Sequence, residues 1–116
     1  MGDVTIYHNP ACGTSRNTLA LLRERGLDPQ VVEYLKIGWT GPQLTDLFAK
    51  MGVSPREALR LTGTPAEADG LTRDDCMPDV IIAAMVAQPI LVNRPIVVTV
   101  KGAALCRPVE RVLDLI

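Results

Sequence analysis

A strand–helix–strand pattern in the first third of the chain constrains the fold more than any other feature. Residues 4–7 form a short apolar run that predicts a strand, and Asn9-Pro10 ends it. Residues 14–25 have the apolar spacing of an amphipathic helix, and Gly26 is placed to end that helix. Residues 31–35 predict a second strand. Two strands joined by a helix of this length are expected to be parallel, with a right-handed crossover.

The middle of the chain predicts several short helices. Helical spacing of apolar residues follows Thr40-Gly41-Pro42. Helix-start signals then recur at Ser54, Thr64 and Thr72, and the capping box that begins at Ser54 predicts a helix that ends at Arg60. Pro78 opens a further apolar run. Start signals spaced this closely favour short helices over one long helix.

The last third of the chain predicts a hairpin and a final helix. Residues 95–100 form a strong strand pattern, Lys101-Gly102 predicts a turn, and residues 103–106 predict a short antiparallel partner. Pro108 opens the final helix. The order βαβ, helical insertion, ββα predicts an α/β fold with a thioredoxin-like mixed sheet. We expect a single domain over residues 1–116, with the helical insertion at about residues 40–88.

Composition excludes several classes of function. The net charge is −1 and aromatic residues make up 3% of the chain, which argues against a nucleic-acid-binding surface. No charged segment followed by an apolar core opens the chain, and no apolar run reaches the roughly 18 residues that a membrane span needs. With three widely spaced cysteines and one histidine, the sequence predicts neither a disulfide framework nor a metal site. We expect a cytoplasmic protein that is not bound to membranes.

Cys12 is the strongest candidate for a reactive residue, because it lies where the first strand ends and the first helix begins. Backbone N–H groups in the first turn of a helix favour the thiolate, which is the reactive form of cysteine. Ser15 stands where a dithiol motif carries its second cysteine, so another thiol must resolve an intermediate on Cys12. His8 either stabilises the thiolate as an imidazolium or makes a structural hydrogen bond. Cys76 and Cys106 are interpreted as structural, with Cys106 a weak candidate for lying near the site.

Three arginines are candidates for binding an oxyanion. Arg94 and Arg107 flank the predicted hairpin, whose first strand is expected beside the first strand of the chain, and Arg60 ends the helix predicted from Ser54. Arginine forks bind tetrahedral oxyanions through charged hydrogen bonds. Each arginine taken alone is an ordinary surface residue. Together around Cys12 they would supply a local positive potential.

These residues resemble the glutaredoxin-coupled arsenate reductases. Residues 6–19, IYHNPACGTSRNTL, resemble the first signature of that family. Residues 89–98, PILVNRPIVV, and residues 105–108, LCRP, resemble its second and third signatures. The resemblance runs from the first predicted strand to the last predicted helix, and so covers nearly the whole chain.

The resemblance implies a mechanism without a bound cofactor. Cys12 would attack arsenate and form a covalent arseno-cysteine ester, with Arg60, Arg94 and Arg107 binding the oxyanion. Glutathione would attack next as the co-substrate, glutaredoxin would take over the mixed disulfide, and arsenic would leave as arsenite. His8 matches the family residue that lowers the pKa of the cysteine, and Ser15 matches the family residue that assists that histidine's effect on the cysteine. Arg94-Pro95 matches a cis-proline junction.

Three other functions remain open from the residues themselves. A glutaredoxin-like thiol transferase would accept the Cys-x-x-Ser motif, although the arginines would then be unexplained. Thioredoxin-fold redox regulators that bind RNA polymerase resemble this chain in the Arg-Pro-Ile segment, but they usually carry Cys-x-x-Cys. A paralogue could keep the same site for another oxyanion. A fold shared across functions does not decide among these possibilities.

Overall fold

The computed structural model describes residues 3–116, which divide into two compact units. The first unit, called the sheet unit here, comprises residues 3–37 and 94–116. The second, called the middle unit, comprises Gly38–Asn93. Among residues 3–116, no helix has both the length and the apolar character needed to cross a membrane.

The sheet unit is built on a four-stranded mixed sheet with the strand order β2-β1-β3-β4. Strand β1 pairs in parallel with β2 and antiparallel with β3, and β3 pairs antiparallel with β4. This arrangement confirms the predicted α/β fold class, the parallel pair and the hairpin. The strands are β1 Thr5–His8, β2 Gln30–Glu33, β3 Ile96–Thr99 and β4 Gly102–Leu105.

Helix α1, Gly13–Glu24, packs its apolar side into the core of the sheet unit. Leu19 and Leu22 belong to that core, and Gly26 adopts a φ of 78°, the left-handed conformation that ends a helix at little cost for glycine. The predicted final helix forms as a 310 helix, Val109–Leu115. The buried core residues are Val4, Ile6, Leu19, Leu22, Val97, Cys106, Val112 and Leu115.

Strand β2 is shorter than predicted, because its partner ends. The sequence predicts a strand that continues to Leu35, but the last pair in the register joins His8 to Glu33. Asn9-Pro10 ends β1 at that point, so the next residues have no strand to pair with on that side. The chain instead turns into a short helix, α2, Tyr34–Ile37, which buries the Tyr34 side chain.

The middle unit contains two helices of ten residues or more within the described chain, α3 Gly41–Met51 and α4 Pro78–Ala87, followed by a short 310 helix, Pro89–Leu91. Thr40 caps α3: its hydroxyl accepts from the backbone N–H of Gln43 at 3.2 Å, and the Gln43 side chain accepts from the Thr40 N–H at 3.4 Å. The helices expected after Thr40 and at Pro78 are therefore present.

The helices predicted at Ser54, Thr64 and Thr72 are wrong, since residues 54–76 form turns. Ser54 and Glu57 do make the reciprocal hydrogen bonds of a capping box, at 3.3 Å each. The chain then leaves the helical path because residues 58–60 pair with residues 91–93. The Arg60 N–H donates to the Leu91 carbonyl at 2.7 Å, and the Asn93 N–H donates to the Ala58 carbonyl at 2.8 Å. Arg60 therefore does not end a helix.

Candidate active site

The loop between β1 and α1 places Cys12 at the N-terminal cap of α1. The Cys12 N–H donates to the Asn9 carbonyl at 3.0 Å, and the Cys12 carbonyl accepts from the Arg16 N–H at 3.0 Å. Cys12 has an extended backbone, with φ −96° and ψ 121°, before the helical residues begin. The residue as a whole is 8% exposed, so Cys12 is largely buried. Within the first turn of α1, the backbone N–H of Ser15 hydrogen-bonds the sulfur.

The pKa of Cys12 is lowered to about 7. Burial opposes this shift, because it raises the pKa by disfavouring the thiolate. The backbone N–H of Ser15, side-chain hydrogen bonds from Arg94 and Arg107, and the charge of Arg94 together outweigh burial. A large fraction of Cys12 is therefore thiolate near neutral pH.

The hairpin of β3 and β4 brings two arginines to the Cys12 sulfur. Arg94 precedes β3 and Arg107 follows β4, and both come immediately before a cis-proline, Pro95 and Pro108. Arg107 Nη1 lies 3.6 Å from Cys12 Sγ and also donates to the Arg94 carbonyl at 3.1 Å. The guanidinium of Arg107 is thus fixed between the thiol and the backbone of the other arginine. An anion that approaches the thiol meets two positive charges.

His8 contacts Ser15 rather than Cys12 in the hydrogen bonds of this loop. Nδ1 of His8 lies 2.5 Å from Ser15 Oγ, and both side chains are buried. Burial lowers the pKa of His8; the charge of Glu33 opposes this effect, and those of Arg23 and Arg16 add to it. The neutral imidazole therefore predominates near neutral pH. This favours the structural hydrogen bond over the imidazolium, the two possibilities that the sequence left open.

Ser15 supports the thiolate through its backbone and the loop through its hydroxyl. Its N–H lowers the pKa of Cys12, while Oγ accepts from the Asn9 N–H at 3.1 Å. The side chain is fully buried. The hydroxyl is thus engaged with Asn9 and His8.

Arg60 belongs to the middle unit, where its contacts are with neighbouring backbone and side-chain oxygens. Nε donates to the Thr62 carbonyl at 3.2 Å, and Nη1 donates to Asn93 Oδ1 at 3.5 Å. Its assignment as an oxyanion ligand stays a prediction that rests on the resemblance.

The two remaining cysteines lie in different surroundings. Cys106 is fully buried in the core of the sheet unit, and burial raises the pKa of its thiol to about 12. Cys76 belongs to the middle unit and is partly buried. All three cysteines are free thiols.

Asn9 is a loop residue whose contacts sequence reasoning missed. It is 3% exposed, and its side-chain Oδ1 accepts from the Ala11 N–H at 3.0 Å. The sequence signal was present, because asparagine commonly bonds the backbone two residues ahead in a turn. The Asn9-Pro10 pair was interpreted only as the end of a strand.

The chain is similar to known proteins over nearly its whole length. The model of the ArsC family matches residues 7–115. The protein named arsenate reductase ArsI2 in Synechocystis sp. is 56% identical over 113 residues, which are 97% of this chain and 81% of that protein. The arsenate reductase of Escherichia coli (strain K12) is 49% identical over 116 residues, which are 100% of this chain and 82% of that protein.

A solved structure shows the same fold. The arsenate reductase from Vibrio cholerae superimposes with a TM-score of 0.94 at 37% sequence identity. The match covers 99% of this chain and 98% of that one. The similarity extends over the sheet unit and the middle unit alike.

Proposed function

This chain belongs to the ArsC family, and we propose that it reduces arsenate to arsenite through a covalent intermediate on Cys12. One observation carries this proposal: the sulfur of Cys12 lies at the start of α1, 3.6 Å from Arg107 Nη1. A thiol with a lowered pKa beside fixed cations is suited to attack an anionic electrophile.

In the first step the Cys12 thiolate attacks arsenic. A sulfur–arsenic bond forms, and one arsenate oxygen leaves as water after taking up protons. Arg94 and Arg107 hold the remaining oxygens and offset the charge that develops on them. Arg60 is proposed as a third ligand of the oxyanion, on the strength of the resemblance. Arsenic remains in the +5 state at this point.

In the second step an external thiol attacks the Cys12 sulfur. A disulfide bond forms, the sulfur–arsenic bond breaks, and its electron pair stays on arsenic, which leaves as arsenite. We propose glutathione as this thiol and glutaredoxin as the protein that then attacks the glutathione sulfur and releases Cys12 as a thiolate. Cys106, the other cysteine of the sheet unit, is fully buried with its pKa raised to about 12, which supports an external donor.

The proposed location is the cytoplasm, and no bound cofactor is needed. The three cysteines are free, which fits a compartment that keeps thiols reduced. The two electrons come from thiols supplied in solution. Each turnover converts two thiols into one disulfide.

The test is arsenate-dependent NADPH consumption by the purified protein with glutathione, glutathione reductase and a glutaredoxin. We expect turnover that requires arsenate, and none above background with Cys12→Ser. A thermal melt of that variant shows whether its fold is intact. Turnover in folded Cys12→Ser would contradict the covalent mechanism.

Two changes to this assay distinguish the proposed function from its alternatives. Removing glutaredoxin tests the electron donor. If the reaction proceeds unchanged without it, another thiol must release glutathione from the mixed disulfide on Cys12. Replacing arsenate by a glutathione mixed disulfide tests for thiol transfer. Efficient thiol transfer with no arsenate turnover would favour the glutaredoxin-like function.

A further inference from the structure

Asn9 ties together the four residues that lead from β1 into α1. Its N–H donates to Ser15 Oγ at 3.1 Å, its carbonyl accepts from the Cys12 N–H at 3.0 Å, and its side-chain Oδ1 accepts from the Ala11 N–H at 3.0 Å. Both backbone groups and the side-chain carbonyl of one residue are thus engaged within this loop. The residue is 3% exposed, so water has little access to replace these bonds.

We propose that Asn9 is a positioning residue, whose side-chain carbonyl holds residues 9–12 in the conformation that places the Cys12 sulfur at the start of α1. Any consequence for arsenate turnover rests on the proposed function, whereas the effect on the reactivity of the Cys12 thiol does not. Asn9 acts through the backbone of Ala11 and Cys12, because its hydrogen bonds go to groups of the loop and of α1.

The sulfur depends on this placement because the groups that stabilise its charge come from three separate elements. The Ser15 N–H comes from α1, Arg94 precedes β3, and Arg107 follows β4. Charged hydrogen bonds weaken steeply as distance and angle depart from their optimum. Arg107 Nη1 is already 3.6 Å from the sulfur, so a loop that relaxes outward weakens this contact. Two other titratable or charged side chains bond this segment: His8 bonds Ser15, and Arg16 Nη1 donates to the Pro10 carbonyl at 2.9 Å. Neither residue is changed in the variants of Asn9.

A matched pair of substitutions isolates the side-chain carbonyl. Asn9→Ala removes the acceptor of the Ala11 N–H. Asn9→Ser introduces a side chain close in volume to alanine, but its hydroxyl can still accept this bond more weakly. Asn17→Ala is the control, because Asn17 is exposed on α1 and the same atoms are removed. The readout is the rate of Cys12 alkylation by iodoacetamide as a function of pH.

We expect Asn9→Ala to raise the midpoint of alkylation by about one pH unit, which makes the reaction about tenfold slower at pH 6. Asn9→Ser should shift the midpoint by less, and Asn17→Ala should leave it unchanged. Melting temperatures identify any variant that fails to fold. If only Asn9→Ser folds, its midpoint must still lie above that of the wild type.

Two results would overturn the proposal: an unchanged midpoint in the folded variants of Asn9, or equal shifts in Asn9→Ala and Asn9→Ser. Equal shifts would show that Asn9 fills space without acting through its carbonyl. The alkylation assay contains no arsenate, so it distinguishes the two proposals. A wild-type protein that lacks arsenate turnover, with alkylation that responds to Asn9, would refute the function and leave the positioning role in place.

Discussion

Replacing Arg107 by glutamine removes a positive charge 3.6 Å from the Cys12 sulfur while keeping a polar, shorter side chain. At that distance two unit charges interact by about 1 kcal/mol in water and by about 4.6 kcal/mol at an effective dielectric constant of 20. Arg107 is only partly buried and Arg94 remains in place, so the lower end applies. We expect the pKa of Cys12 to rise from about 7 to roughly 8, since one unit corresponds to about 1.4 kcal/mol.

Alkylation at two pH values measures this shift. With pKa values of about 7 and about 8, the thiolate fraction at pH 6.5 is about 0.24 in the wild type and about 0.03 in Arg107→Gln. The variant should therefore react about eightfold more slowly at pH 6.5. At pH 9.5 both proteins are almost fully thiolate, and their rates should agree. Because deprotonation creates the reactive form, the difference must shrink as the pH rises.

Two further variants separate charge from shape. Arg107→Lys keeps the charge but loses the planar fork, so alkylation should stay near the wild-type rate while the KM for arsenate rises. Arg111→Gln removes a charge from the 310 helix, where it acts on Cys106, and should leave the rate unchanged. If Arg107→Gln were slower by the same factor at both pH values, access to the sulfur would explain the effect, and the electrostatic reasoning would be refuted.

Two other variants test the remaining roles. Arg60→Ala should raise the KM for arsenate about tenfold, as for the loss of a charged hydrogen bond, without moving the alkylation midpoint of Cys12; an unchanged KM would remove Arg60 from the proposed site. Leu22→Ala truncates a fully buried residue of the core in the sheet unit, and should lower the free energy of unfolding in urea by about 2–5 kcal/mol. A loss below about 1 kcal/mol would mean that this core collapses around the deletion.

The sheet unit was predictable because its signals are local and consistent. The Asn9-Pro10 break, the amphipathic helix and Gly26 each mark a boundary within a few residues of the sequence. The strands β1 and β2 are short apolar runs on either side of that helix, so their parallel pairing follows from the connection. The antiparallel pairing of β3 with β4 could be predicted from the turn at Lys101-Gly102 between them.

The middle unit was predicted less well, because a nonlocal pairing overrides a local signal. The capping box at Ser54 forms its hydrogen bonds, yet residues 58–60 pair with residues 91–93, more than thirty positions away in the chain. Leu59 and Val92 form the bridge at the centre of this pairing. Nothing in residues 54–60 alone indicates that partner. Helix propensity is a weak prior that tertiary pairing routinely overrides.

The candidate site divides in the same way between local and nonlocal information. The place of Cys12 at the start of α1 follows from adjacent residues. The approach of Arg107 to the sulfur joins residues 95 positions apart, and it was predictable only through the expected pairing of the hairpin with β1. The contact of His8 with Ser15 depends on the loop conformation, which no periodic pattern encodes.

Ser15 gives a structural reason for the single thiol of the proposed mechanism. The position that a dithiol motif gives to its second cysteine is fully buried here, and its hydroxyl accepts from the Asn9 N–H while bonding to His8 Nδ1. A thiol is a weak donor and a weak acceptor, so a cysteine would not replace these bonds. The backbone N–H of the same residue lowers the pKa of Cys12. Position 15 therefore supports a single sulfur through both its hydroxyl and its backbone N–H. In the proposed mechanism, the thiol that resolves the intermediate on Cys12 then comes from another molecule.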